Sequence, residues 1–98
     1  MLTKDQIGNN FMKQWFMYVV ECSDGTLYTG ITTSIARRLN EHNYGMKAAK
    51  YTRSRRPVTL KYVKEYSGRS CASKAEYKFK KLTRKKKLEI IRGQTNSC

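Results

Sequence analysis

Tyr18-Val19-Val20-Glu21-Cys22-Ser23-Asp24-Gly25-Thr26-Leu27-Tyr28-Thr29-Gly30 is the stretch whose reading decides the fold. With Trp15-Phe16-Met17 before it, the first half is aromatic and β-branched, and it reads as a strand with both faces largely covered. Ser23-Asp24-Gly25 signals a turn, and Thr26 to Gly30 reads as the returning strand. The loop length sets the register. A two-residue Asp24-Gly25 turn pairs Cys22 with Leu27 and puts Tyr18 and Tyr28 on opposite faces. A three-residue loop, with Gly25 in the left-handed region, pairs Val20 with Tyr28 and Tyr18 with Gly30. Both tyrosines then share one face. Glycine at the last loop position suits this second, bulged hairpin, which is the expected one.

Working outward, Ser34 is the expected N-cap of a helix carrying Ile35, Leu39 and His42 on one stripe, with Gly45 as its C-terminal cap. Arg38 precedes His42 by four residues and neighbours it on that surface. Arg37 and Glu41 have the spacing of a surface ion pair. Met46 to Arg56 reads as a basic loop containing Lys50, Arg53, Arg55 and Arg56, with Tyr51 and Thr52 among them. Pro57 opens a third strand that alternates in part from Val58 to Tyr66. A second helix has Ala72, Ala75, Phe79 and Leu82 on one stripe, and Leu88, Ile90 and Ile91 suggest a short final helix packing back on the domain. The order is β-β-α-β-α plus that terminal helix. It is a mixed α/β (α+β) domain, a small three-stranded antiparallel sheet flanked by helices. Residues 1–14 read as a loose lead-in, 15–92 as the single domain and 93–98 as a polar tail.

Charge narrows the function. The chain has 98 residues, with 21 Lys+Arg against 7 Asp+Glu, for a formal net charge of +14. Such a field attracts polyanions, with nucleic acid the leading partner and an anionic membrane surface behind it. No apolar run approaches the ~20 residues of a membrane span, and the N-terminus has no apolar signal region. Cys22, Cys71 and Cys98 are widely spaced, without a Cys-x-x-Cys pair. Free thiols in a reducing cytoplasm are therefore expected, rather than a disulfide framework or a zinc site.

The tripeptides Tyr18-Val19-Val20 and Tyr28-Thr29-Gly30, with Arg38, His42 and the late Glu76, resemble the GIY-YIG nuclease domain, which is named for two tripeptides on neighbouring strands. The resemblance runs from about Trp15 to Ile91 and is strongest to the short stand-alone bacterial members. It implies the GIY-YIG fold and a divalent-metal-dependent endonuclease hydrolysing phosphodiester bonds in DNA. It also implies one ion, Mg²⁺ or Mn²⁺, held by Glu76, with Arg38 as phosphate clamp, His42 orienting a tyrosine hydroxyl, and Tyr18 or Tyr28 activating water. Many family members have a lysine after the second glycine, where this chain has Ile31.

Each of these residues also has a plainer reading. Ser73-Lys74-Ala75-Glu76 fits a capping box, in which Glu76 reaches back to its own helix start; a start at Ser70 leaves the carboxylate free. A lone histidine on an apolar stripe is more often a satisfied core residue. Strands favour tyrosine, and Gly30 can simply end its strand. Lys50, Arg53, Arg55 and Arg56 form an expected backbone-binding rim, which positions a duplex without reading its sequence. The alternative to the nuclease is a non-catalytic nucleic-acid-binding module on the same scaffold. A protein partner that supplies specificity is compatible with either.

Overall fold

A computed structural model describes residues 14–94, so residues 1–13 of the expected lead-in, and Cys98, lie outside the described residues. Strand β1 (Trp15–Glu21) is central, between β2 (Leu27–Thr32) and β3 (Thr59–Tyr66), in the order β2-β1-β3, all antiparallel. The hairpin takes the bulged register. Tyr18 pairs with Gly30 and Val20 with Tyr28. The Gly25 amide donates to the Cys22 carbonyl at 2.9 Å, and Gly25 has a φ of 86°. The left-handed conformation makes glycine the residue for this position.

Alternation along β1 splits the core in two. Tyr18 and Val20 face one side, with Cys22, Val58, Ile35 and Leu39. Met17 and Val19 face the other, with Phe79, Tyr62, Leu82 and Ile91. Strand β3 serves both sides through an irregularity: Val19 pairs with Tyr62, but the next residue, Val20, pairs with Leu60. The extra residue, Lys61, lets Leu60 and Tyr62 pack on opposite faces despite being two apart. This is why the apolar alternation of that strand is only partial in the sequence.

Helix α1 (Ile35–Tyr44) covers the Tyr18 face. Ser34 caps it as expected, its side chain accepting from the Arg37 amide at 3.3 Å. Gly45 follows the helix, but with a φ of −91°, so handedness does not demand glycine there. Space is tight there, because a Cβ at Gly45 would lie 3.0 Å from the Glu41 Cα. The expected basic loop holds a single helical turn, α2 (Lys50–Arg53). Helix α3 (Arg69–Lys80) and helix α4 (Arg84–Gln94) cover the other face. Helix α3 starts from Gly68, ahead of both serines considered as its cap. The last helix takes in Gly93 and Gln94 of the segment read as tail. Among the described residues no helix is long and apolar enough to cross a membrane.

Candidate active site

The hairpin register brings Tyr18 and Tyr28 to the face that α1 covers, and His42 arrives there from the last turn of α1. His42 is fully buried. Its Nε2 lies 2.7 Å from the Tyr18 hydroxyl and its Nδ1 lies 2.7 Å from Thr52 Oγ1. Thr52 Oγ1 also donates to the Ala49 carbonyl at 3.1 Å, which uses its single proton. Thr52 must therefore accept from His42 Nδ1–H, so Nε2 is unprotonated and accepts from the Tyr18 hydroxyl. The proton directions of a buried chain, Tyr18 to His42 to Thr52 to Ala49, follow from one threonine. Helix α2 presents that threonine, which gives the short turn inside the basic segment its structural purpose.

Gly30 makes room for this arrangement. A Cβ there would stand 2.6 Å from the Tyr18 hydroxyl and 2.8 Å from its ring carbon. The Tyr18 ring thus lies across the bare backbone of β2, and the second tripeptide's glycine is a packing partner of the first tripeptide's tyrosine. Tyr28 packs edge-on to His42, with centroids 5.4 Å apart, and stacks on Tyr51 at 6.0 Å.

Burial dominates the electrostatics. It pushes the Tyr18 phenol up to about 12, against the opposing pull of the Arg38 guanidinium, while the charges of Tyr28 and Glu76 add to the rise. Burial also drives His42 down to about 4, helped by Arg38 and opposed by Glu41. His42 is therefore neutral at physiological pH, the form the hydrogen-bond chain requires.

The charges of Arg38 and Glu76 both act on Tyr18. Arg38 donates to Glu41 at 2.9 Å and to the Lys47 carbonyl at 2.8 Å. The expected Arg37–Glu41 pair is replaced by Arg38–Glu41, and Arg37 bonds the Thr32 hydroxyl at 3.2 Å instead. Both arginines have a helical spacing that reaches Glu41, so the spacing alone could not choose between them. Glu76 lies in the third turn of α3, far from the helix start, so it caps nothing. It is paired with Lys80 at 3.2 Å. The capping-box reading of Ser73 and Glu76 is overturned.

The expected rim divides. Lys50 is exposed. Arg53 donates to the Met46 carbonyl, and Arg55 bonds Asp24 and the Tyr51 carbonyl while lying 3.9 Å over the Tyr51 ring. Arg56 is half-buried and donates to the carbonyls of Glu41, His42 and Gly45. It neutralises the C-terminal end of α1, as a cation should. Thr52 is the site residue that sequence reasoning passed over, since a threonine within a basic stretch carries no signal of its own.

A profile of the GIY-YIG catalytic domain matches residues 14–89. The chain belongs to the GIY-YIG catalytic domain family. This GIY-YIG domain is 56% identical over 79 residues to a UPF0213 protein of Desulfotalea psychrophila, covering 81% of this chain and 72% of that one. It is 54% identical over 81 residues to a UPF0213 protein of Streptococcus agalactiae, covering 83% and 91%. Two solution NMR structures share the fold. One is a protein of E. faecalis, at a TM-score of 0.63 and 43% identity, covering 88% of this chain and 91% of that one. The other is a UPF0213 protein of Bacillus halodurans, at 0.53 and 38%, covering 81% and 83%.

Family membership suggests nuclease activity, and nucleases of this family use a divalent metal. Among the described residues no group of three or more His, Cys, Asp or Glu side chains is placed to hold an ion. The donor set fits a hard cation bound by the single carboxylate of Glu76, with water and substrate phosphate as its other ligands. It does not fit zinc, which takes three or four protein ligands.

Proposed function

We propose that this chain is a divalent-metal-dependent endonuclease that hydrolyses phosphodiester bonds in DNA in the cytoplasm. The observation that carries this reading is the buried chain from Tyr18 through His42 to Thr52, with the charges of Arg38 and Glu76 acting on Tyr18. A structural core has no need of three linked polar side chains, nor of a carboxylate in the middle of a basic surface.

Arg38 binds non-bridging phosphate oxygens through its planar fork and stabilises charge that grows as the phosphorus centre is attacked. Tyr18 is the water-activating group in preference to Tyr28, because its hydroxyl stands in the field of both Arg38 and Glu76. With its pKa near 12, roughly one Tyr18 in 10⁵ is ionised at neutral pH in the resting protein. A divalent ion on Glu76 would polarise the phosphate and the attacking water and favour the phenolate. His42 acts by position. It is neutral in the resting protein, fixes the direction of the Tyr18 hydroxyl and is itself fixed by Thr52; when the phenol ionises, Nε2 takes its proton, so that the phenolate faces an N–H. Lys50 and Arg53 hold flanking phosphates.

One observation favours the second reading, a binding module without turnover. Both charged groups are already paired, Arg38 with Glu41 and Glu76 with Lys80. Substrate must displace these partners before any chemistry. The deciding experiment is cleavage of plasmid, branched DNA and structured RNA with Mg²⁺ or Mn²⁺, by wild type, Glu76→Ala and Arg38→Ala. Metal-dependent cutting of DNA that each substitution lowers by roughly 10²-fold or more, with binding retained for Glu76→Ala, is the expected result. Binding without cutting by wild type in either metal would favour the module.

A further inference from the structure

A second cluster of guanidinium groups lies beside Arg38 and is absent from the expected rim. A groove of about 340 Å³ opens where three elements end: Trp15 starts β1, Thr32 and Thr33 follow β2, and Arg69 starts α3. Arg37, Arg38 and Glu41 of α1 form its other wall. Three arginines therefore converge on a groove containing one carboxylate, and Arg38 holds that carboxylate.

Arg37 and Arg69 form no ion pair among the described residues. Arg37 donates one nitrogen to Thr32, and Arg69 lies 5.5 Å from the centre of the Trp15 ring. Arg69 is exposed and Trp15 is half-buried. An unpaired guanidinium couple beside a partly open indole matches a nucleotide: phosphate for the two cations, base for the aromatic face. Helix geometry orders the site along α3. Arg69 and Glu76 are seven residues, about two turns, apart on one face of α3, so the candidate metal ligand stands ~10 Å along the helix from the groove's Arg69.

We propose that this groove is a nucleotide subsite of the same active site, in which Arg37 and Arg69 hold the phosphate next to the one bound by Arg38 and Trp15 stacks on the adjoining base. The proposal rests on the nuclease reading for the role of Arg38 and deepens it by naming the substrate class. A base can reach Trp15 only if it has left its own stack, so the substrate is a strand that is single-stranded or frayed beside the cleaved bond.

Trp15 is the chain's only tryptophan, so its emission, excited selectively over the tyrosines, reports directly on the groove. The experiment titrates the full chain with end-labelled oligothymidylate, following label anisotropy and Trp15 emission together, in wild type and in an Arg37→Gln/Arg69→Gln double variant. Inorganic polyphosphate is the competing probe. The expected result is quenching of Trp15 with the same midpoint as anisotropy, and competition by polyphosphate without quenching. The double variant should bind roughly tenfold or more weakly, with a salt slope reduced by about 0.7, the value of one lost phosphate contact on a single strand. Saturated oligothymidylate binding that leaves Trp15 emission unchanged would overturn the proposal, as would equal quenching by polyphosphate, wild-type affinity in the double variant, or no binding at low salt. None of these outcomes depends on cleavage, so a failure of the nuclease reading is separately visible.

Discussion

The two faces of the sheet are built on the same strand and solve different problems. On one, Met17 and Val19 meet Phe79, Tyr62, Leu82 and Ile91 in an apolar cluster. On the other, Tyr18 and Val20 meet His42, Thr52 and α1, with a hydrogen-bonded chain running through the packing. The first face needs shape and volume. The second needs each proton pointed in one direction, because an unpaired buried donor or acceptor costs about as much as several apolar contacts return. The apolar face therefore tolerates conservative change, whereas the polar face ties stability to pH and to single atoms.

The largest expected effect breaks the apolar face. Phe79→Ala empties a ring from the centre of that core and should cost about 3–5 kcal/mol in urea unfolding. The fraction still folded should keep a neutral His42. The next effect belongs to the polar face and needs no substitution. His42 is held at about 4 in the folded chain, below its ordinary 6.5. Its contribution is fully present above pH 6.5 and is lost as pH falls from 6.5 towards 4, by up to about 3 kcal/mol. Urea midpoints at pH 7 and pH 4.5 measure it, and a Phe79→Ala variant should retain the same pH difference.

Smaller still, Thr52→Val keeps the shape but removes the acceptor from His42 Nδ1–H. It should cost about 1–3 kcal/mol and lower cleavage more than binding, since the Tyr18 hydroxyl loses its fixed direction. The smallest effect sharpens the contrast. Lys80→Ala removes an exposed partner of Glu76, and stability should move by less than ~1 kcal/mol. Mn²⁺ binding, followed by its paramagnetic effect on water relaxation, should tighten because the carboxylate is released.

How much of this was legible in the sequence varied by element. The hairpin register was legible because Gly25 in a three-residue loop leaves one good geometry, and the shared face of Tyr18 and Tyr28 followed. Ser34 was legible because a hydroxyl cap preceded a clear stripe. The start of α3 was not, since Ser70 and Ser73 both offered caps and the helix begins from Gly68 with neither. A single turn such as α2 is too short for any periodicity, and a tertiary bond to His42 holds its threonine. The arginines were the least legible of all. Arg56 as a helix cap, Arg38 rather than Arg37 on Glu41, and Arg37 with Arg69 at a groove depend on which carbonyl or ring lies nearby, and composition carries none of that.

Tyr18→Phe gives the most direct test of the central claim. It deletes one oxygen at the end of the buried chain and leaves the ring over Gly30. Cleavage of a DNA substrate in Mn²⁺, measured alongside binding and folding, should fall by roughly 10²-fold or more while affinity and the near-ultraviolet spectrum of the fold persist. Cleavage at the wild-type rate by Tyr18→Phe would contradict the account, because the chain from Tyr18 through His42 to Thr52 would then be packing and nothing more.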